Sequence, residues 1–159
     1  VKASLTGHLV LSTIHTNSAV KTITRLIDMG IDAFLVASSL SGVVAQRLLR
    51  VVCPHCSKLE TPSKSEIEVF TRNGITVDKI KRAVGCEICG NKGYKGRVAI
   101  FEILDVNETI IRMVSNNARE YELLEQARKD GTQLLIEAGL EKVKQGVTTL
   151  EEVMRISLD

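Results

Sequence analysis

All four cysteines of the chain lie in two Cys-x-x-Cys pairs, Cys53 with Cys56 and Cys86 with Cys89. Two close pairs separated by an ordered stretch suit a tetrahedral ion, each pair spanning two neighbouring corners. The spacing predicts zinc, with Cys53, Cys56, Cys86 and Cys89 as ligands. Iron on the same sulfurs, two redox pairs and two disulfides are the competing readings, although a thioredoxin-like motif would need only one pair in a βαβ setting. The second pair lies in Gly85-Cys86-Glu87-Ile88-Cys89-Gly90, where glycines let the backbone turn tightly and aim amides at sulfur. His55, inside the first pair, reads as a solvated loop residue, with a spare ligand as the alternative. An ion held by four thiolates has no open position for water. Its work would therefore be structural, tying residue 53 to residue 89 and turning metal binding into folding free energy.

Two histidines form the other chemically capable set. His8 and His15 bracket the run Leu9-Val10-Leu11-Ser12-Thr13-Ile14. That run reads as a buried strand of the parallel-sheet kind over residues 8–14. An odd spacing on a strand sends side chains to opposite faces, so the two imidazoles should not chelate one metal together. His15 would stand at the carboxyl end of the strand, where α/β sheets keep their ligand sites. A polar strand end plus a satisfied histidine is the plainer alternative.

The elements that must position these residues follow from periodicity and punctuation. His15-Thr16-Asn17-Ser18 supplies turn and cap chemistry for a helix over residues 19–29, with Val20, Ile23, Leu26 and Ile27 as its stripe and Gly30 as its stop. Asp32 caps a second expected helix over 33–48, and residues 48–52 form a short strand leading to the first cysteine pair. Ser63 and Glu66 are spaced as a capping box for a helix ending near Arg72, before Asn73-Gly74. A short helix is expected over 77–83, making the insert between the pairs a small helical unit. Gly93-Tyr94-Lys95-Gly96 reads as a turn, residues 97–104 as a strand, and Asn107 as the cap of a helix to 115. Further helices are expected over 118–129, 132–145 and 149–156, with Gly131 and Gly146 as stops; this tail is read as a helical bundle.

At 159 residues the chain fits one domain, or one plus a small appendage. Its 44% apolar content allows a core that must be aliphatic, because aromatics make up only 3% and tryptophan is absent. A net charge of +2 is too small to imply nucleic acid. No apolar run approaches the roughly 20 residues that span a bilayer, and no signal peptide is visible. Thiols in metal-type spacing without such a signal favour a reducing cytosol. The first residue is Val1, and the chain reads as cut from something longer.

Residues beyond the spacing carry a resemblance. The segment from Thr6-Gly7-His8 to His15-Thr16-Asn17 resembles the histidine box of the type II secretion and type IV pilus assembly ATPases. Gln46-Arg47-Leu48 with Cys53-Pro54-His55-Cys56 is similar to that family. So are Gly85-Cys86 through Cys89, Gly93-Tyr94-Lys95-Gly96-Arg97, Glu102, and the closing Gly146-Val147-Thr148-Thr149-Leu150-Glu151-Glu152-Val153. These motifs occur in family order across nearly the whole chain. The four cysteines resemble the extension or assembly branch rather than retraction motors.

The resemblance implies an α/β fold: the C-terminal portion of a RecA-like P-loop ATPase domain, a four-cysteine zinc-binding subdomain and a C-terminal helical bundle. The implied division is 1–52 for the ATPase core, 53–89 for the zinc-binding insert and 90–159 for a strand plus helical tail. It implies a homo-hexameric cytoplasmic motor, peripheral at the inner membrane through secretion-machinery or platform proteins, that couples ATP hydrolysis to pilin or pseudopilin movement. His15 would approach the γ-phosphate or the attacking water, and His8 would help order the site. A neutral imidazole suits this, because it can donate or accept a hydrogen bond. No Gly-x-x-x-x-Gly-Lys-Ser/Thr occurs here and no acidic strand-end pair precedes Thr6, so ATP and Mg are expected only in the full-length parent and this chain alone should be inactive. Ser18 stands where relatives often carry aspartate. A reading from another class is a zinc-ribbon-like nucleic-acid or protein binding module, suggested by Lys92, Lys95 and Arg97 beside the cysteines; a rubredoxin-like electron carrier is a third.

Overall fold

The computed structural model describes residues 1–157. In chain order its elements are α1 (Lys2–Leu5), α2 (Ala19–Asp28), α3 (Ala33–Ser39), β1 (Gly42–Val52), β2 (Lys58–Glu60), α4 (Lys64–Arg72), β3 (Ile80–Arg82), β4 (Tyr94–Asp105), α5 (Glu108–Ser115), α6 (Glu120–Lys129), α7 (Leu135–Lys144) and α8 (Leu150–Ser157). Two compact units result, one from Val1–Ala45 with Glu102–Gln133, the other from Gln46–Phe101 with Leu134–Asp159. The mixed helix and strand content agrees with the expected α/β class.

In the first unit, Ser18 caps α2 and Asp32 caps α3, its Oδ1 accepting the Phe34 amide at 2.8 Å. Gly30 takes φ +87° to end α2, which a side chain would strain. Helix α2 buries Ala19, Val20, Thr22 and Ile23, and packs against α3 and α6. Helix α3 buries Ala33, Val36 and Ala37 and packs on α5, whose Ile110 and Val114 are buried. Alanines on these faces let the helix axes approach.

In the second unit the core is aliphatic apart from Phe70, as the composition requires. Leu49 and Ile100 from the strands, Phe70, Ile75 and Ile80 from the segment between the cysteine pairs, and Leu140, Val143, Leu150 and Val153 from the tail form one cluster. The insert and the last helices therefore share a single hydrophobic interior. Helices α7 and α8 meet closely at Gly139, where a Cβ would lie 2.7 Å from Val153 Cγ1. The expected capping box on α4 is formed, with Ser63 and Glu66 exchanging bonds.

Four sequence expectations need correction. The turn expected over residues 93–96 is from Tyr94 onward part of β4, because these residues continue the ladder that the expected strand over 97–104 begins. Residues 8–14 form no strand, and residues 8–13 lie exposed, Leu9 at 90% and Leu11 at 89%. A strand of the parallel kind holds only when neighbours pair both edges, and among the described residues nothing pairs this segment. The single helix over 33–48 is instead α3 followed by β1. Val43, Ala45 and Leu49 face inward while Val44, Gln46 and Leu48 face out, a period of two that pairs with β4. An all-round apolar helix and such a strand look alike by composition. The helix over 77–83 is replaced by β3, which pairs antiparallel with β2 in the register Lys58↔Arg82, Leu59↔Lys81 and Glu60↔Ile80. The tail helices are all present, but α5 and α6 belong to the first unit, and α7 and α8 to the second.

Candidate metal centre and the histidine segment

The four sulfurs of Cys53, Cys56, Cys86 and Cys89 converge within 4.8 Å of one another. Separations of 4.0 Å (Cys53 to Cys86), 3.9 Å (Cys56 to Cys89) and 3.8 Å (Cys86 to Cys89) match a tetrahedron whose metal–sulfur bonds are about 2.3 Å and whose edges are about 3.8 Å. All four thiols are free, and these distances are nearly twice a disulfide bond, so the two-disulfide reading does not hold. The four cysteines could hold one metal ion, and the geometry and donor set are consistent with zinc. His55 is exposed and stands outside the quartet, as a solvated loop residue should.

Local structure explains the convergence. Cys53 follows β1 directly and donates its amide to the Gly93 carbonyl at 2.9 Å, while Ser57 closes the first turn on the Cys53 carbonyl. The second pair rides a single 3-10 turn, with Asn91 donating back to the Cys86 carbonyl at 2.8 Å. Amides then point at sulfur: Gly85 at Cys56 (3.3 Å), Cys86 at Cys89 (3.2 Å) and Gly93 at Cys89 (3.2 Å). Gly85 and Gly93 are doubly constrained. Their φ values are +119° and +76°, and a Cβ would meet Asn91 O or Ala83 Cβ at 2.8 Å. The sequence singled out Gly85 and Gly90; the second amide donor from a glycine is Gly93, which it read only as a turn.

The thiol acidities diverge. Burial pushes Cys89 up, but the amides of Cys86 and Gly93 outweigh it and hold that thiol down at about 6. Burial and the neighbouring sulfurs push Cys56 up to about 11 against the Gly85 amide. One thiolate forms readily and a further one is opposed. Such a quartet carries its full charge only with a cation at its centre.

The two histidines have different surroundings. His15 lines an open depression of about 310 Å³ with Thr16, Asn17, Lys21, Thr24, Arg25, Asp28 and Glu120. His8 is exposed, its Nδ1 3.1 Å from Thr6 Oγ1, and does not line that depression. Neither joins the sulfur cluster. The start of α2 is tied down beside His15: Thr16 Oγ1 lies 2.7 Å from Thr22 Oγ1, and the Ala19 amide donates to Glu102 Oε1 at 2.7 Å.

The closing motif has a structural explanation that spacing did not supply. Thr149 Oγ1 accepts the Glu152 amide and meets the Tyr94 hydroxyl at 2.8 Å, while Thr148 Oγ1 donates to the Arg50 carbonyl at 2.8 Å. The fully buried Glu152 carboxylate accepts from the Arg50 amide (3.0 Å), from the Arg50 guanidinium and from Arg155. The Arg50 guanidinium lies over the Tyr94 ring, 4.1 Å from its centroid. Tyr94 is thus engaged on one face and at its hydroxyl. Among the described residues no helix is long and apolar enough to cross a membrane.

The family described as Type II/IV secretion system protein matches residues 1–155, and the chain belongs to that family. Among its relatives is the type II secretion system ATPase E of Vibrio cholerae, 45% identical over 157 residues, 99% of this chain and 31% of that protein. The type IV pilus assembly ATPase PilB of Pseudomonas aeruginosa is 45% identical over 161 residues, 100% of this chain and 28% of that protein. The PilB of Thermus thermophilus is 44% identical over 163 residues, 99% of this chain and 18% of that protein. The chain thus spans about a third or less of the length of these relatives.

Proposed function

We propose that the chain is the carboxyl-terminal part of a secretion or pilus-assembly ATPase, a hexameric motor that couples ATP hydrolysis to pilin or pseudopilin movement. The observation that carries this reading is identity of 45% across essentially the whole chain to both a type II secretion ATPase and a pilus assembly ATPase. On this reading residues 1–52 complete a RecA-like core whose remaining strands pair with residues 8–14, which explains the exposure of Leu9 and Leu11. His15 approaches the γ-phosphate or the attacking water, with His8 ordering the segment. Phosphoryl transfer depends on positioning and charge stabilisation, so an exposed imidazole at the rim of a depression suits that role. Cys53, Cys56, Cys86 and Cys89 hold zinc, which ties the second unit together and supplies no chemistry to the reaction. Mg and ATP bind in the full-length protein, which works at the inner membrane through secretion-machinery partners. The 159-residue chain contains no phosphate-binding loop and does not turn over ATP by itself.

The test is a chimera in which this chain replaces the 157 matched residues of the Vibrio cholerae ATPase E. The chimera should hydrolyse ATP, and His15→Ala should lower kcat by about 100-fold with unchanged circular dichroism. Turnover insensitive to His15→Ala would remove this residue from the reaction, and turnover by the isolated chain would refute its assigned incompleteness.

A further inference from the structure

Strand β4 carries an anomaly. Its inward positions are Ile100, Glu102 and Leu104, so a carboxylate occupies a core-facing place between two buried aliphatic residues. Glu102 is 2% exposed. A carboxylate so placed costs several kcal/mol unless it is paired or hydrogen-bonded. Ala19, the first residue of α2, is among its partners: its amide reaches Glu102 Oε1 at 2.7 Å across 83 residues of sequence. Ala19 and Val20 are themselves 0% and 1% exposed, so water cannot replace this acceptor. The local cap is weak by comparison, since Ser18 Oγ accepts the Lys21 amide only at 3.5 Å.

We propose that Glu102 is a positioning residue for the histidine segment: its carboxylate, acting on the amide of Ala19, fixes where α2 begins and thereby where His15 is held. This rests on the reading of His15 given above and adds the residue that governs it. The bond is charge-assisted and lies at the positive end of the helix, the two conditions that make such bonds strong. From that anchor the connection to His15 is short. Thr16 Oγ1 and Thr22 Oγ1 lie 2.7 Å apart and both are in reach of the Ser18 carbonyl (3.3 and 3.2 Å), so one hydroxyl donates to the other and the second donates to that carbonyl. Residues 16–22 thus form one bonded unit pinned to β4, and His15 is the residue that precedes it. A small loss of register at Ala19 therefore moves the imidazole, and a displacement of about 1 Å suffices to cost on the order of 100-fold in rate.

The experiment uses the chimeric ATPase with Glu102→Ala, Glu102→Gln and each of these combined with His15→Ala. Glu102→Ala should lower kcat by about 100-fold and Glu102→Gln, which keeps an acceptor but loses the charge, by about 10-fold, with KM for ATP moving less than about threefold. The double variants should be no slower than His15→Ala alone, because Glu102 acts through that residue. In the 159-residue chain, exchange of the Ala19 amide should accelerate by at least about 10-fold in Glu102→Ala and less in Glu102→Gln. Should Glu102→Ala fail to fold, Glu102→Gln and its double variant decide alone. Full activity of Glu102→Gln, or losses that multiply with those of His15→Ala, would overturn the positioning role while leaving His15 in place. If His15→Ala itself leaves turnover unchanged, the reading of the site falls and this inference falls with it, a result distinguishable from the others.

Discussion

Replacing Glu152 by Gln keeps the shape of the side chain and removes its charge, which makes it a direct test of what holds the closing motif. The carboxylate is 0% exposed, whereas its partners Arg50 and Arg155 are 45% and 54% exposed. Exposed ion pairs contribute less than about 1 kcal/mol, because solvent screens both charges. The Glu152 carboxylate is shielded from solvent, and its replacement leaves only half-exposed guanidinium groups, so the worth of its ionised form is read from its acidity. Burial raises its pKa, but bonds from Arg155 and Arg50 prevail and bring it from 4.5 to about 2. Linkage then assigns the ionised carboxylate about 3 kcal/mol of stability at pH 7. The pKa is depressed in the folded state, so this stability is complete above 4.5 and is lost as pH falls toward 2. At pH 3 about 1.5 kcal/mol remains. Urea unfolding of wild type and Glu152→Gln, followed by circular dichroism, should differ by about 3 kcal/mol at pH 7, a midpoint shift of about 1.5 M for a slope of about 2 kcal/mol per M. The difference should shrink to about half at pH 3. A difference below 1 kcal/mol at pH 7, or one independent of pH, would refute the assignment of a buried, charge-dependent bond.

Other outcomes follow from the same geometry. Elemental analysis should find about one zinc per chain, and chelation or Cys86→Ser should expose amides of α4, α7 and α8 together, because Phe70, Ile80, Leu140 and Val153 share one core; exchange confined to residues 53–89 would contradict that coupling. Gly93→Ala should weaken metal retention in a chelator competition and lower stability by about 2 kcal/mol, since it strains a positive φ and places a Cβ 2.8 Å from Ala83 Cβ; unchanged retention would show that the Gly93 amide is dispensable. Arg82, bonded to Glu60, Glu66 and Glu151, chiefly through its bonds to Glu66 holds that carboxyl at about 2 against burial. Glu66→Gln should therefore destabilise the chain above pH 4.5 by about 3 kcal/mol and progressively less as pH falls toward 2, read by the same pair of urea titrations.

Legibility in the sequence followed the range of the interactions. Caps and stops were readable because they are local: Ser18, Asp32, Ser63 with Glu66, Asn107, and the glycines at 30, 131 and 146 all act where they were placed. The cysteine quartet was readable because two short spacings already bring each pair within reach of one ion. The run over 40–47 was read as helix because burial on alternate sides of a strand and burial around a helix select the same residue types, whereas the strand expected over 48–52 is the end of β1. Glu102 and Glu152 appeared only as members of a pattern. The available signal was a carboxylate at a core-facing register, beside Ile100 and Leu104 in one case and Leu150 and Val153 in the other.

The sequence by itself determined the family, the helix caps at Ser18, Asp32, Ser63 and Asn107, and the sulfur donors, since each depends on residue identity within a few positions. Tertiary structure alone decided that Ala19 would find its acceptor on a strand 83 residues away and that Arg50 and Glu152 would meet across 102. It also decided that Phe70, Ile75 and Ile80 would fold into the same interior as the tail. Such pairings are settled by which buried donors and acceptors remain unsatisfied once the core closes, and that accounting exists only when distant segments have come together.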